Sequence, residues 1–237
     1  MARCGVASRR KADELIKRGA VQVNGTKVAK PFVEVNPGDC VKVYGKPVSP
    51  AKHAYIAVNK PAGYTCTAKD RFAEKKVTDL VPGSFGRLFP VGRLDKNSSG
   101  LLLLTNDGEF ANRITHPRYQ VEKEYVVTIS PAFAGRDAKA LKDGIADEGE
   151  VLQADSVKPL KILQGRSVLS VVMKEGKKRE VRRMFEALGY RIIELKRVRI
   201  GNIRLGRLLA GGYRLLTDKE KESGFSSSVS GKKQTIS

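Results

Sequence analysis

The sequence contains no tryptophan, two histidines and three cysteines among its 237 residues. Cys4, Cys40 and Cys66 lie far apart and lack the spacing of zinc ligands, so we expect no metal site. Free thiols are typical of a reducing compartment, which predicts a cytoplasmic protein. Aromatic residues make up only 6% of the chain, which argues against a wide stacking platform for single-stranded RNA.

Long apolar runs and acidic residues are also scarce. No apolar run approaches the roughly 20 residues that span a bilayer, and residues 1–5 have no signal-peptide core. The chain has 25 Asp and Glu against 45 Lys and Arg, which gives a formal net charge of +20. Such an excess repels itself in a compact fold and therefore predicts an anionic partner. Nucleic acid is favoured over a membrane.

Residues 1–50 are predicted to form a small module. Ser8 is placed to cap a helix over residues 9–18, and Gly19 follows as a stop signal. Short strands are expected around residues 21–23 and 41–43, with a tight turn at Asn24-Gly25 after the first. The composition of residues 45–50 is typical of a linker.

Three cations, Arg9, Arg10 and Lys11, occupy the first turn of that helix. Positive charge there opposes the helix dipole by roughly 0.3–1 kcal/mol each, so stability alone does not explain it. Backbone amides together with cations at a helix start form a phosphate site. A solvated charge run is the alternative, but the unfavourable placement favours contact with RNA.

Residues 54–217 alternate strand patterns with a few helices, which predicts an α+β domain with a mostly antiparallel sheet. The expected strands cover residues 55–59, 101–105, 123–130, 167–174 and 191–198, and the expected helices cover residues 109–114, 136–142 and 178–188. His116, just before Pro117, is interpreted as a capping or turn residue rather than an acid-base catalyst. Residues 218–237 are polar and Ser-rich, which predicts a disordered tail.

The densest chemical signal is a polar loop with Asp95 that leads into an apolar strand at residues 101–104. Such a strand is buried on both faces, so Asp95 is expected at the edge of the core. Arg93 is close enough in sequence to pair with Asp95 and keep it ionised, which suits a nucleophile or a stabiliser of a sugar cation. Without further signals, however, an Asp in such a loop is more often a turn former.

Residues 91–107 resemble the catalytic motif of pseudouridine synthases, in the branch that covers the ribosomal small-subunit enzyme and the large-subunit types B, E and F. Residues 5–25 resemble the S4-type RNA-binding module of this branch, although relatives have an additional helix before it. Either the start is misplaced or the module lacks part of its first helix. Four more stretches resemble family motifs in order, at residues 59–63, 122–125, 175–184 and 195–201.

The resemblance implies a fold and a set of roles. The fold would be an S4-like module followed by a catalytic domain on a mostly antiparallel mixed sheet with flanking helices. Asp95 would attack the target nucleotide, at the anomeric carbon or through a glycal route, without cofactor or metal. Tyr125 would lie against the uracil, Arg182 would pair with Asp95, and Leu195 would pack beneath the base. Lys60 and Arg93 would contact phosphate or carboxylate groups.

The third-motif helix is expected to bury one face and to present Lys178, Arg179 and Arg183 to RNA. A target base in structured RNA must be flipped out at a cost of a few kcal/mol, which phosphate contacts offset. The implied partner is ribosomal RNA or a ribosomal subunit precursor, and we expect a monomer. Residues 180–184 and 196–199 are closest to the large-subunit type B enzymes, which favours the large subunit.

Two other functions are compatible with parts of the sequence. A non-catalytic, ribosome-associated protein with an S4-type module would account for the charge but not for Asp95, Tyr125 and Arg182 together. A glycoside-cleaving enzyme would need a second positioned carboxylate as the acid, and no motif supplies one. A strongly basic surface is also unsuited to a neutral sugar.

Overall fold

The computed structural model describes residues 1, 4–49, 51–67 and 74–223. Its N-terminal module combines helix α1 (Arg9–Lys17) with a four-stranded antiparallel sheet in the order β2-β1-β3-β4. The strands are β1 (Val21–Val23), β2 (Thr26–Lys27), β3 (Val41–Val43) and β4 (Lys46–Pro47). The predicted linker at residues 45–50 was therefore wrong in part, because β4 pairs with β3 there.

Helix α1 is held by the features that the sequence indicated. The Ser8 hydroxyl accepts a hydrogen bond from the Lys11 amide at 3.2 Å, which confirms the predicted cap. Ala12 and Leu15 are buried against Val21 and other small residues of the sheet. The basic first turn is left on the outside of this small core.

The second part of the chain is built on a nine-stranded sheet in the order β11-β12-β8-β13-β7-β5-β15, with β14 on β13 and β6 on β7. Strands β9 and β10 form a separate hairpin. The bounds are β5 (Tyr55–Lys60), β6 (Phe89–Val91), β7 (Ser99–Thr105), β8 (Lys123–Ser130), β9 (Ile145–Asp147), β10 (Glu150–Leu152), β11 (Ser156–Leu163), β12 (Arg166–Met173), β13 (Arg191–Ile200), β14 (Ile203–Arg204) and β15 (Tyr213–Leu215).

Four helices flank this sheet: α2 (Gly108–Thr115), α3 (Asp137–Asp143), α4 (Glu180–Ala187) and α5 (Asp218–Ser223). Side chains of α3 and α4 share a core with β8, β12 and β13, and α2 shares another with β7 and β14. The α+β class and the mostly antiparallel mixed sheet are confirmed. None of the helices in the described ranges is long and apolar enough to cross a bilayer.

Two predicted boundaries need correction. Helix α4 begins at Glu180 rather than at residue 178, because Arg179 adopts a left-handed backbone with φ of 53°. The predicted tail was wrong for residues 218–223, which form α5, where Glu220 accepts two 2.7 Å hydrogen bonds from Arg214. Residues 224–237 lie outside the described part. His116 is confirmed as a cap, since its Nδ1 accepts the Arg118 amide at 3.2 Å.

Strand β7 runs through the centre of the domain. Leu101 and Leu103 face one core cluster while Leu102 and Leu104 face another, and none of the four is exposed, as the apolar run predicted. Strand β7 lies between β5 and β13 and runs parallel to β13. The other strand pairs of the described sheet are antiparallel.

Strands β7 and β13 approach each other closely at Gly100. This glycine pairs with Arg197, has φ of 103°, and a Cβ added to it would lie 2.2 Å from the Arg197 carbonyl oxygen. Only glycine fits because both the backbone angle and the space exclude a side chain.

We predict that Gly100→Ala lowers the free energy of unfolding by at least about 3 kcal/mol, since it adds backbone strain to a clash with main-chain atoms. Urea denaturation would measure the loss. Gly165→Ala is the matched control, because Gly165 has φ of 70° but no atom within 4 Å of the added Cβ. We expect it to cost only about 1 kcal/mol. Equal losses in the two variants would contradict the role of the close approach.

Candidate active site

The loop that carries Asp95 is fixed from below by a buried ammonium group. Lys60, at the end of β5, has no exposed surface. Its Nζ donates to the carbonyl oxygens of Pro61, Asp95 and Lys96, each at 3.1 Å, and to that of Ser98 at 2.6 Å. The predicted contact of Lys60 with substrate is not supported, because its donors are already used inside the protein. Lys60 positions the loop instead.

Further backbone contacts complete the loop. The Ser98 amide donates to the Asp95 carbonyl at 3.0 Å, and the Leu94 amide donates to the sulfur of Cys66 at 3.3 Å. Burial lowers the pKa of Lys60, while the neighbouring Cys66 and Asp95 raise it. The dipoles of four carbonyl groups therefore take the place of a full counter-charge.

The carboxylate of Asp95 faces Arg182 of helix α4. Arg182 Nε lies 3.6 Å from Asp95 Oδ2, and Arg182 Nη2 donates to the Ser98 hydroxyl at 3.2 Å. The Arg182 side chain is 13% exposed against 39% for Asp95, so the guanidinium lies behind the carboxylate and leaves it open to the cleft. Arg93, by contrast, is exposed and makes no ion pair with Asp95 in the described structure. The expected Arg93 pair is replaced by the Arg182 pair.

A small pocket of about 90 Å³ opens beside Asp95. Tyr125 of β8 and Leu195 of β13 both line it, and Leu195 is only 5% exposed. The two strands are hydrogen-bonded neighbours, so these side chains are held at fixed distances. An aromatic ring and a branched aliphatic side chain beside a carboxylate form a slot for a flat ring.

The pocket opens into a cleft of about 840 Å³ with a strongly basic lining. Its basic residues are Arg93, Lys96, Lys123, Lys174, Lys177, Lys178, Arg179 and Arg197. Some are neutralised locally: Lys174 pairs with Asp155 at 2.5 Å and Lys177 with Glu175 at 3.2 Å. The cleft nevertheless presents an excess of positive charge around Asp95, which suits a polyanion.

The three cations predicted on the third-motif helix have different surroundings. Lys178 is exposed on the cleft and has no acidic partner among the described residues. Arg179 is also exposed on the cleft, but its Nη2 lies 3.3 Å from Glu186 Oε1. These two remain candidates for RNA contact.

Arg183 does not face the cleft at all. Its guanidinium lies 2.5 Å from Asp147, 2.6 Å from Glu150 and 3.7 Å from Glu148. Hydrogen bonds to Glu150 and Asp147 raise the pKa of Arg183 above its ordinary value. The prediction that Arg183 contacts RNA is thus not supported, because its donors fasten α4 to the β9–β10 hairpin.

The basic first turn of α1 lies apart from this cleft. Arg9 and Arg10 are exposed, and Lys11 is half exposed and pairs with Glu14 at 3.2 Å. None of the three lines the pocket or the cleft. They form a separate cationic patch on the N-terminal module.

Sequence reasoning missed several residues of the site. Ser98 is 1% exposed and orients Arg182, although the motif gave it no role. Glu180 is 5% exposed, lines the small pocket and accepts the Lys177 amide at 3.0 Å. Burial raises the pKa of Glu180. The only signal for it was a glutamate three residues after Lys177, the spacing that lets a side chain reach back to a turn amide.

Within the described ranges, no group of three or more His, Cys, Asp or Glu residues is placed to hold a metal ion. Chemically, the arrangement offers one fixed carboxylate with a cation behind it, a flat slot beside it and a polyanion-binding surface around it. A carboxylate in this setting suits attack on an electrophilic sugar carbon of a nucleic acid.

Comparison with known proteins agrees with this chemistry. The RNA pseudouridylate synthase family matches residues 54–187, and the S4 domain family matches residues 1–51. The chain is 41% identical to ribosomal large subunit pseudouridine synthase B of Bacillus subtilis, over 93% of this chain and 91% of that protein. It is 37% identical to the dual-specificity RNA pseudouridine synthase RluF of Escherichia coli, over 91% of this chain and 73% of that protein.

A solved structure is similar over the same length. The crystal structure of a pseudouridylate synthase superposes with a TM-score of 0.69 at 30% sequence identity and covers 94% of this chain and 95% of that one. The similarity thus extends over both parts of the chain.

We predict that Lys60→Met destabilises the protein by about 2–4 kcal/mol, since it leaves carbonyl oxygens at the core edge without their donor. Lys96→Met is the matched control, because the Lys96 side chain is exposed on the same loop. Denaturant unfolding would measure both variants. A Lys60→Met protein as stable as Lys96→Met would show that the ammonium does not hold the loop.

Proposed function

The chain belongs to the RNA pseudouridylate synthase family, and we propose that it converts a uridine of ribosomal RNA to pseudouridine with Asp95 as its nucleophile. The observation that carries the proposal is the placement of Asp95. Its carboxylate is open to a basic cleft, has Arg182 behind it and borders the slot of Tyr125 and Leu195.

In the first half of the reaction the target uridine leaves the RNA stack and its base enters the slot. Asp95 then attacks the ribose anomeric carbon, and the bond from that carbon to N1 of uracil breaks with its electron pair on the base. A glycal route, in which Asp95 acts on the sugar without this covalent bond, is the alternative. Both routes need the same ionised carboxylate next to the ribose, and Arg182 supplies the neighbouring positive charge.

In the second half the uracil turns within the slot and C5 forms the new bond to the anomeric carbon. On the covalent route this step breaks the ester and restores the Asp95 carboxylate. The proton on C5 is then removed, N1 gains one, and the product is an isomer of the substrate with no net loss of atoms. Tyr125 borders the slot and takes part in the proton removal, while Leu195 supports the base from below.

Ribosomal RNA of the large subunit is the proposed substrate. Support comes from the relative named as a large-subunit enzyme in Bacillus subtilis, and from the motif residues at positions 180–184 and 196–199. We further propose that the protein acts as a monomer in the cytoplasm and needs no cofactor.

Nucleoside analysis of ribosomal RNA from a deletion strain tests the proposed substrate. Loss of a pseudouridine from the large-subunit RNA, restored by the intact gene, supports the synthase. An unchanged pseudouridine profile would contradict ribosomal RNA as the substrate, and loss from the small-subunit RNA would contradict the large-subunit proposal.

We predict that Asp95→Asn lowers the rate of isomerisation by at least about a thousandfold, because Asn keeps the size of Asp but not its nucleophilic charge. Its affinity for RNA and its unfolding free energy should stay near those of the wild type. Asp143→Asn is the matched control, since Asp143 is exposed at the end of α3. Single-turnover kinetics on a ribosomal RNA fragment give the rates, and an active Asp95→Asn enzyme would remove Asp95 from the mechanism.

We also predict that Arg9→Glu/Arg10→Glu raises KM more than it lowers kcat. The patch on α1 lies outside the cleft, so its phosphate contacts are the same in the ground state and the transition state. Lys139→Glu/Lys142→Glu on α3 makes the same change in net charge at exposed positions and serves as the control. Circular dichroism must show an intact fold. Wild-type KM in the α1 variant would exclude the N-terminal module as an RNA-docking element.

A further inference from the structure

Arg197 occupies a central position that the reaction described above does not use. It lies on β13, opposite Tyr125 on β8 and opposite Gly100 on β7. Directly opposed residues of antiparallel strands point to the same face of a sheet, so Arg197 and Tyr125 share the face that carries the site. Both line the basic cleft.

The charge of Arg197 is buried without an acidic partner. Its side chain is 4% exposed and its Nε donates to the Leu101 carbonyl at 2.8 Å, but its Nη2 has no hydrogen-bond partner in the described structure. Arg199, two residues along the strand, is different: Glu124 lies 2.8 Å and Glu122 3.0 Å from its guanidinium. Buried charges in proteins are normally paired, so the unpaired guanidinium of Arg197 favours an anion as its ligand.

Two more cations lie close to Arg197 and strengthen this conclusion. Burial lowers the pKa of Lys123, and the charge of Arg197 lowers it further. Burial and the charge of Arg197 also lower the pKa of Lys60. Lys60 is satisfied by four carbonyl oxygens, and Lys123 Nζ donates to the Lys174 carbonyl at 3.2 Å. The neighbouring carboxylate of Asp95 is already paired with Arg182. The charges of Asp95 and Glu180 raise the pKa values of Lys60 and Lys123, respectively, but neither carboxylate forms an ion pair with Arg197 in the described structure.

We propose that Arg197 binds the phosphodiester group next to the target nucleotide. The proposal rests on the function assigned above, because it takes the substrate to be an RNA with one nucleotide turned into the slot. A phosphate is favoured over the base, since Arg197 lines the broad cleft but is not among the residues that line the small pocket. Its neighbour Tyr125 lines both, so Arg197 lies where the backbone of a flipped nucleotide passes.

The bound phosphate would fix the sugar as well as the strand. A guanidinium on the sheet holds its ligand on a rigid element, and the adjacent ribose is then presented to Asp95 at a constant distance. The same contact is formed only when the nucleotide has left the stack, so it offsets part of the cost of flipping. Arg197 therefore acts on substrate positioning, unlike the surface cations that bind RNA in any conformation.

The first experiment uses inorganic phosphate as the probe and needs no RNA. An anion that binds the native state raises the melting temperature in a saturable way. We expect titration with phosphate to raise the melting temperature of the wild type and of Lys158→Met, but to raise that of Arg197→Met clearly less. Lys158 is exposed on the edge strand β11, so its replacement removes one positive charge away from the cleft. Equal shifts in all three proteins would overturn the proposal.

The second experiment uses RNA substrates in which one phosphate near the target uridine is replaced by a neutral methylphosphonate. At one flanking position the replacement should lower kcat/KM of the wild type by about tenfold or more, as expected for loss of a charge-assisted contact. Arg197→Met should show the same loss with unmodified RNA and no further loss with that modified RNA. Losses that multiply at every position would show that Arg197 binds another group and would overturn the assignment.

Two controls keep the outcome clear. Arg197→Gln retains a donor for the Leu101 carbonyl and replaces Arg197→Met in both experiments if the latter does not fold. Arg199→Met should lower the stability, because it leaves Glu122 and Glu124 without their cationic partner. It should respond to the methylphosphonate as the wild type does. If the wild type forms no pseudouridine at all, the proposed function fails, while the phosphate titration still decides whether Arg197 is an anion site.

Discussion

The site depends on the close parallel contact between β7 and β13 at Gly100 and Arg197. This contact joins two groups of antiparallel strands, β11-β12-β8-β13 on one side and β7-β5-β15 on the other. The Asp95 loop enters β7, whereas Tyr125 and Leu195 belong to the other group. The Asp95 carboxylate and the neighbouring slot are therefore brought together across the β7–β13 contact. The strands can pair there because Gly100 has no side chain.

The positive charge of the chain has two separate uses. Some cations interact with other groups of the protein. Lys60 holds the loop through carbonyl oxygens, Arg183 joins α4 to the β9–β10 hairpin, and Arg199 pairs with two glutamates. Others, such as Lys178, remain exposed on the cleft without an acidic partner among the described residues. The total of 45 Lys and Arg thus overstates the number of cations offered to RNA, since many of them are paired or buried.

Sequence patterns predicted the parts of this structure that follow from local chemistry. The apolar run at residues 101–104, the Ser8 cap and the loop around Asp95 each follow from neighbouring residues alone. Strand β11 was missed because it is a mostly exposed edge strand with a bulge after Pro159, so it shows no alternation. The partners of Lys60 in the Asp95 loop and the acidic partners of Arg183 were missed because they lie more than 30 residues away in sequence. Local patterns indicate which residues are charged, but only the tertiary fold decides where each charge is used.

Helix α4 carries two adjacent arginines, Arg182 and Arg183, that pair with acidic residues on different elements. Arg182 reaches Asp95 at 3.6 Å, and Arg183, about 100° further around the helix axis, reaches Asp147 and Glu150 on the β9–β10 hairpin. The helix is therefore restrained against rolling about its own axis, with the hairpin as one of the two anchors. Removing the acidic residues of that hairpin would take away one of these two anchors. The hairpin lines neither the pocket nor the cleft, yet through Arg183 it helps to hold the helix that carries Arg182.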